Sequence, residues 1–228
     1  SPFTMQLAQS LLASIMNTSL GKYGGDLAIS GMGIVVTLAS LIVMPIMGIN
    51  GGSQPIIGYN FGARRYDRVR DVLKYSVMVA TAIAIFGFII TRIFPTQLIA
   101  IFSSHDAELI AFGSRALLIN LIFLPIVGLQ IVGSGYFQAI GKPLHSMFLS
   151  LSRQVLLFIP ALLILPRFYG LDGILFAGPA ADLISTIITG AWLFLEIKNL
   201  KKRYEESLIP IVKDKPDSGD EEAYSPCT

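Results

Sequence analysis

Six stretches of about twenty residues run through this chain almost without charge, and that length is what crossing a hydrocarbon core about 30 Å thick requires. They fall at 3–20, 27–49, 72–94, 109–136, 144–165 and 173–195. Between them lie Gly21–Asp26, the basic stretch Gly62–Asp71, Pro95–Asp106, Gly141-Lys142-Pro143 and Pro166–Asp172. Of the 228 residues, 14% are charged and 53% are apolar. A soluble domain carries about a quarter charged residues to hydrate its surface, so lipid is the solvent this composition implies. Lipid leaves only helices and closed barrels as spanning structures, and the two-residue alternation of a membrane strand is absent here. The expected fold is all-α: a bundle of six transmembrane helices over residues 1–200. A polar cytoplasmic tail, 201–228, is expected to be disordered, since Asp214–Thr228 has little to bury.

Lys and Arg set the expected orientation. With six spans, alternate loops share a side. One side collects Arg64, Arg65, Arg68, Arg70, Lys74, Lys142, Lys198, Lys201, Lys202 and Arg203, ten in all; the other holds three, Lys22, Arg92 and Arg167. Basic loops stay inside, so both ends of the segment are expected in the cytoplasm. The chain opens on Ser1-Pro2-Phe3 with no initiator Met and no signal peptide, and we expect a fragment or a trimmed chain.

Several function classes find no support. The net charge is +2 and sits in short clusters, which does not make a nucleic-acid groove. Cys227 is the single cysteine, so neither an internal disulfide nor a zinc spacing exists. His105 and His145 fall on opposite sides of the membrane. No convergent His, Asp or Glu suggests an enzyme, a cofactor or a metal, and none is expected.

The polar residues inside the spans carry the functional signal. Gln6, Gln9, Ser10 and Asn17 gather on one side of the first span. Such groups face protein or water rather than lipid, either as glue between helices or as a cavity lining. Asn50 and Gln54, four apart, share a face of a stretch flanked by Pro45 and Pro55. That stretch reads either as a bent, gate-like helix or as a kink that packs well. The basic cluster after Gly62 reads as a topology determinant. In the fourth span, Asn120, Gln130, Ser134 and Gln138 accompany Gly128, Gly133 and Gly135, a small and polar face suited to a packed interior.

Arg153 and Asp182 each lie about nine residues into their spans, about 13–15 Å deep at 1.5 Å per residue. Either charge alone is costly at that depth, and the fifth and sixth spans form a hairpin. An intramembrane ion pair is expected. It serves structure alone, or Asp182 binds a coupling cation or a cationic substrate.

Three stretches resemble the multidrug and toxic compound extrusion (MATE) family. They are Lys22-Tyr23-Gly24-Gly25-Asp26-Leu27-Ala28-Ile29, the run from Gly48 to Ala63, and Gly135-Tyr136-Phe137-Gln138-Ala139-Ile140-Gly141-Lys142. The details are similar to the bacterial MepA-like and DinF-like branch. The resemblance implies one lobe, the C-terminal one, of a twelve-helix, two-lobe transporter. It implies efflux of small cationic amphipathic compounds in exchange for Na+ or H+ by alternating access, antibiotic resistance, and residence in the bacterial inner membrane. It implies an N-terminal six-helix lobe as partner, and a substrate cleft lined here by Gln6, Gln9, Asn17, Asn50, Gln54, Asn120 and Gln130. Some branches carry acidic cation ligands on the helices that match the first and fourth spans. Those spans hold amides here, so the coupling ion is expected mainly on the other lobe. The alternatives are a lipid-linked oligosaccharide flippase of the wider superfamily, whose cleft needs more base than Arg153, and a non-transporting scaffold subunit.

Overall fold

The computed structural model describes residues 2–103 and 106–213. Helix is the only regular structure among them, with no strand. Two helical runs, Gln6–Gly62 and Leu144–Leu200, are 57 residues long and strongly apolar. A straight helix of that length would reach about 85 Å, nearly three bilayer cores. Each run is broken by one glycine: Gly25 at φ 64° and ψ −163°, and Gly170 at φ 56° and ψ −132°. A Cβ is not tolerated there, so the chain reverses at the residue type that has none. The first run therefore supplies spans 2–24 and 26–62, and the last supplies 143–169 and 171–213. Tyr66–Ile93 is the third span. The fourth is a bent pair, Ala107–Asn120 and Leu124–Ala139, turned by 53°. The bundle of six spans expected from the sequence is thereby complete.

The spans are longer and the breaks shorter than expected. The breaks at Gly21–Asp26 and Pro166–Asp172 each shrink to one glycine. The second span runs on to Gly62 with helical φ/ψ through Pro45 and Pro55. Proline removes one donor and crowds one carbonyl, yet leaving the helix in lipid would strand many backbone groups; the local loss is the smaller one. After Gly62 the turn is tight, with Arg64 at φ 58° and helix again from Tyr66. Between the third and fourth spans, Pro95–Ala100 forms a short helix. The last span continues to Lys213, past the boundary expected near Leu200. Asp214–Thr228, including Cys227, and His105 lie outside the described residues.

Apolar side chains cover the outside. Phe86, Phe168, Phe194, Met44 and Leu41 are all more than half exposed, as lipid permits and water does not. Inside, two apolar clusters stack along the bundle. One packs Leu20, Ala28, Leu117, Leu124, Ile174 and Leu175 near the Gly25 and Gly170 turns. The other packs Ile57, Leu73, Val132, Tyr136, Phe137 and Leu193 near the opposite end. The basic turns at 63–65 and 141–142 belong to that second end, so the loops alternate between the two ends of the bundle.

The Gly170 reversal is testable. Gly170→Val forces a β-branched residue into positive φ and should cost about 1–3 kcal/mol, read as a lower unfolding midpoint in detergent. Gly33 is helical with open space where a Cβ would stand, and Gly33→Ala should not lower that midpoint.

Candidate functional site

A cavity of about 250 Å³ opens within the bundle, well above the room one water needs. Five spans line it. The first gives Gln9, the second Met47 and Asn50, and the fourth Gln130, Ile131, Ser134, Gly135 and Gln138. The fifth gives Ser146, Leu149, Ser150, Arg153 and Gln154, and the sixth Thr189. Gln9 and Met47 are exposed, while Gln130 and Thr189 are deeply buried.

The elements place these groups for identifiable reasons. Asn50 reaches the fourth span because Gly135 has no side chain; a Cβ at that position would collide with the Asn50 amide. Gln130 Nε2 donates to Ser185 Oγ at 2.7 Å, tying the fourth span to the sixth. The Ser134 hydroxyl is 3.2 Å from that of Ser146 and 2.9 Å from that of Ser150, which closes the fourth span onto the fifth. In the fifth span, α-helix gives way to a π-helical stretch, Ser152–Phe158, where the Ile159 N–H donates to the Gln154 carbonyl. Pro160 follows at once, and a wider turn relieves the crowding its ring would impose on the preceding carbonyls. This stretch carries Arg153 and Gln154 to the cavity wall.

Arg153 Nε donates to Asp182 Oδ1 at 2.6 Å, and an outer guanidinium nitrogen lies 2.6 Å from the same oxygen. The arginine side chain is 36% exposed and that of Asp182 is 14% exposed. Arg153 lines the cavity and Asp182 does not. Four buried oxygens of these lining residues have no hydrogen-bond partner among the described residues: Asn50 Oδ1, Gln130 Oε1, Gln154 Oε1 and Thr189 Oγ1. Buried acceptors of this kind want a donor. Among the described residues no group of three or more His, Cys, Asp or Glu could hold a metal.

Of the residues singled out in the sequence, Gln9, Asn50, Gln130, Ser134, Gly135, Gln138 and Arg153 meet at this cavity. Gln6 and Asn17 sit exposed on the first span, and Gln54 is half-buried on the second. Asn120 lies at the bend of the fourth span with its amide against Gly178 of the sixth. The fifth-span residues Ser146, Ser150 and Gln154 were not anticipated. Their signal is plain in retrospect: they recur every four residues, one helix face, in a stretch where the charge of Arg153 dominates the pattern.

The ion pair invites a double-mutant cycle. Arg153→Leu leaves a carboxylate unpaired inside the bundle and should destabilise the protein, toward the lower end of about 3–5 kcal/mol because the pair borders a cavity. Arg153→Leu with Asp182→Leu should recover most of that loss in detergent unfolding.

Comparison with known proteins places this arrangement. A family model described as MatE matches residues 3–163. The multidrug export protein MepA of Staphylococcus saprophyticus is 28% identical over 187 residues, which is 81% of this chain and 40% of MepA. The protein of the same name from Staphylococcus haemolyticus is 23% identical over 211 residues, 92% of this chain and 45% of its own length. Among solved structures, the MATE multidrug transporter DinF-BH is 38% identical with a TM-score of 0.75, covering 85% of this chain and 43% of that one. A MATE in complex with MaL6 has the same fold, with a TM-score of 0.81 at 20% identity over 87% of this chain and 45% of that one. The chain thus spans less than half the length of the proteins it matches. Its spans, the amides at its cavity and these matches agree: the chain belongs to the MatE family of membrane transporters.

Proposed function

We propose that the chain is the C-terminal lobe of a multidrug efflux antiporter of a bacterial plasma membrane, with both ends of the segment in the cytoplasm. Paired with an N-terminal lobe, it exports cationic amphipathic compounds in exchange for Na+ or H+. The observation that carries this reading is the cavity: amides and hydroxyls set among Met47, Ile131 and Leu149, inside helices whose outer faces are apolar. Polar groups held at membrane depth mark a path for solutes. The relatives' names, multidrug export protein and multidrug transporter, support the efflux of drugs in this reading.

In this mechanism the cavity is one wall of a cleft shared between two lobes. Gln9, Asn50 and Gln130 offer hydrogen bonds to the substrate, and Gln6 and Asn17 extend the polar face along the first span. Among the described residues the lining carries no carboxylate, so the substrate's charge and the coupling ion are met on the other lobe. A ligand shifts the inward-open and outward-open states only through its difference in affinity for them. The amides contribute when they contact substrate in one state more than in the other. A flippase for a lipid-linked phosphate would need free base in its cleft. The base on this lining, Arg153, is already paired with Asp182.

The test is drug efflux by cells expressing the whole transporter. Gln9→Ala, Asn50→Ala and Gln130→Ala each remove a contact worth about 0.5–1.5 kcal/mol. Each should lower resistance roughly two- to tenfold at equal expression. Unchanged resistance in all three would show that substrate does not touch this wall.

A further inference from the structure

The turn that joins the second and third spans carries charge that the fold leaves unspent. Over residues 64–74 five bases, Arg64, Arg65, Arg68, Arg70 and Lys74, stand against two acids, Asp67 and Asp71. All seven are exposed. Elsewhere at the bundle ends, Arg115 and Lys142 each hold a carboxylate. Among the described residues none of the five bases has an ion-pair or side-chain hydrogen-bond partner. The backbone nevertheless holds them together. The Arg64 N–H donates to the Phe61 carbonyl at 3.1 Å and the Arg65 N–H to that of Asn60 at 2.9 Å, and the third span begins at Tyr66. The positive end of that helix adds to the excess of base rather than offsetting it.

Depth along the helix identifies what these bases meet. From Lys74 the third span runs without a charge to Arg92, about 27 Å at 1.5 Å per residue, which is close to one hydrocarbon core. Lys74 therefore marks a boundary of that core. Arg70 and Arg68 stand about 6 and 9 Å beyond it, in the zone of the headgroups, and the long side chains of Arg64 and Arg65 reach that zone from the turn. On the helix face of Arg68, by the 3.6-residue repeat, come Tyr75, Val79 and Phe86, all exposed. We propose that this turn is a docking surface for an anionic phospholipid. Arg64, Arg65, Arg68 and Arg70 hold the phosphate-bearing headgroup, and the face of Tyr75, Val79 and Phe86 receives an acyl chain. A topology determinant needs its charge only while the chain inserts. A lipid surface needs that charge exposed, unpaired and above an apolar track in the folded protein, as here. A zwitterionic headgroup brings an ammonium that the excess of base repels, so a net negative headgroup is favoured. The proposal needs the spans and the turn alone, and stands apart from the transport reading.

Photo-crosslinking from the apolar track makes the test local. The whole transporter, with a benzoyl-phenylalanine in place of Tyr75, is reconstituted in vesicles of equal parts phosphatidylglycerol and phosphatidylcholine with matched acyl chains. Adducts with phosphatidylglycerol should outnumber those with phosphatidylcholine at least fivefold, the effect of about one base. Arg68→Gln with Arg70→Gln leaves Arg64, Arg65 and Lys74 to direct insertion, and should bring the ratio down to that of the bilayer. Arg167→Gln, a base of the opposite end, should leave the ratio unchanged. Equal adducts in the native protein, an unchanged ratio in the folded double variant, or loss of the preference on adding inorganic phosphate at matched ionic strength overturns the proposal. So does a preference that appears only when the chain is cut after Lys213, which gives the patch to the acidic run Asp214–Glu222. If the double variant does not fold, the native ratio decides. Efflux is not read here, so a failure leaves the transport reading where it stands.

Discussion

Lipid offers no hydrogen bond to a peptide group, and every polar atom that enters it must bring its partner along. The backbone meets that demand by staying helical, even through Pro45 and Pro55. Small polar side chains meet it by bonding back to their own helix. Thr18 Oγ1 donates to the Ser14 carbonyl, Thr37 Oγ1 to that of Gly33, and Ser114 Oγ to that of Ile110, at 2.6–2.9 Å. Asn60 does the same through its amide, reaching the Ile56 carbonyl at 2.8 Å. These residues are polar by composition and nearly apolar in effect. The groups that cannot be satisfied locally, Gln130, Ser134 and the Arg153–Asp182 pair, bond between spans and hold the bundle together.

Hydrogen-bond satisfaction also explains where the structure is irregular. The π-helical stretch Ser152–Phe158 precedes Pro160 and carries the residues that face the cavity. The bend of the fourth span lies at 121–123, between Asn120 and Leu124. Both keep their backbone paired by short-range bonds: at the bend the Ile122 N–H donates to the Ile119 carbonyl at 3.3 Å and the Leu124 N–H to the Leu121 carbonyl at 3.1 Å, which is the condition a membrane interior sets. Further ion pairs tie the ends of the bundle: Arg115 with Asp172 at 2.7 Å near the Gly170 turn, and Lys142 with Glu196 at 2.8 Å near the other end. The second sits beside an aromatic group of Phe137, His145, Phe148 and Trp192, suited to the zone where a bilayer meets water.

The number of spans, the helical class and the family were legible in the order of residues alone. Each is set by properties summed along the chain: twenty apolar residues in a row, a glycine at a reversal, basic loops on alternate sides, a run such as Gly48–Ala63. The Arg153–Asp182 contact was legible for a related reason. A hairpin folded at Gly170 brings equal depths together, and two opposite charges at one depth have few other places to go.

The cavity was not legible in that way. Which amides meet depends on the rotation of each helix about its axis and on its tilt, and apolar patterning is too even around these spans to set either. Gln6, Gln9 and Asn17 share a stripe, yet only Gln9 lines the cavity. Asn50 enters because Gly135 lets two helices come close. Sequence determined that polar groups must find partners other than lipid, which refuses them. Only the packing of five helices decided which of them face one another, because that choice is made by side-chain volumes across spans and not by the spacing within any one of them.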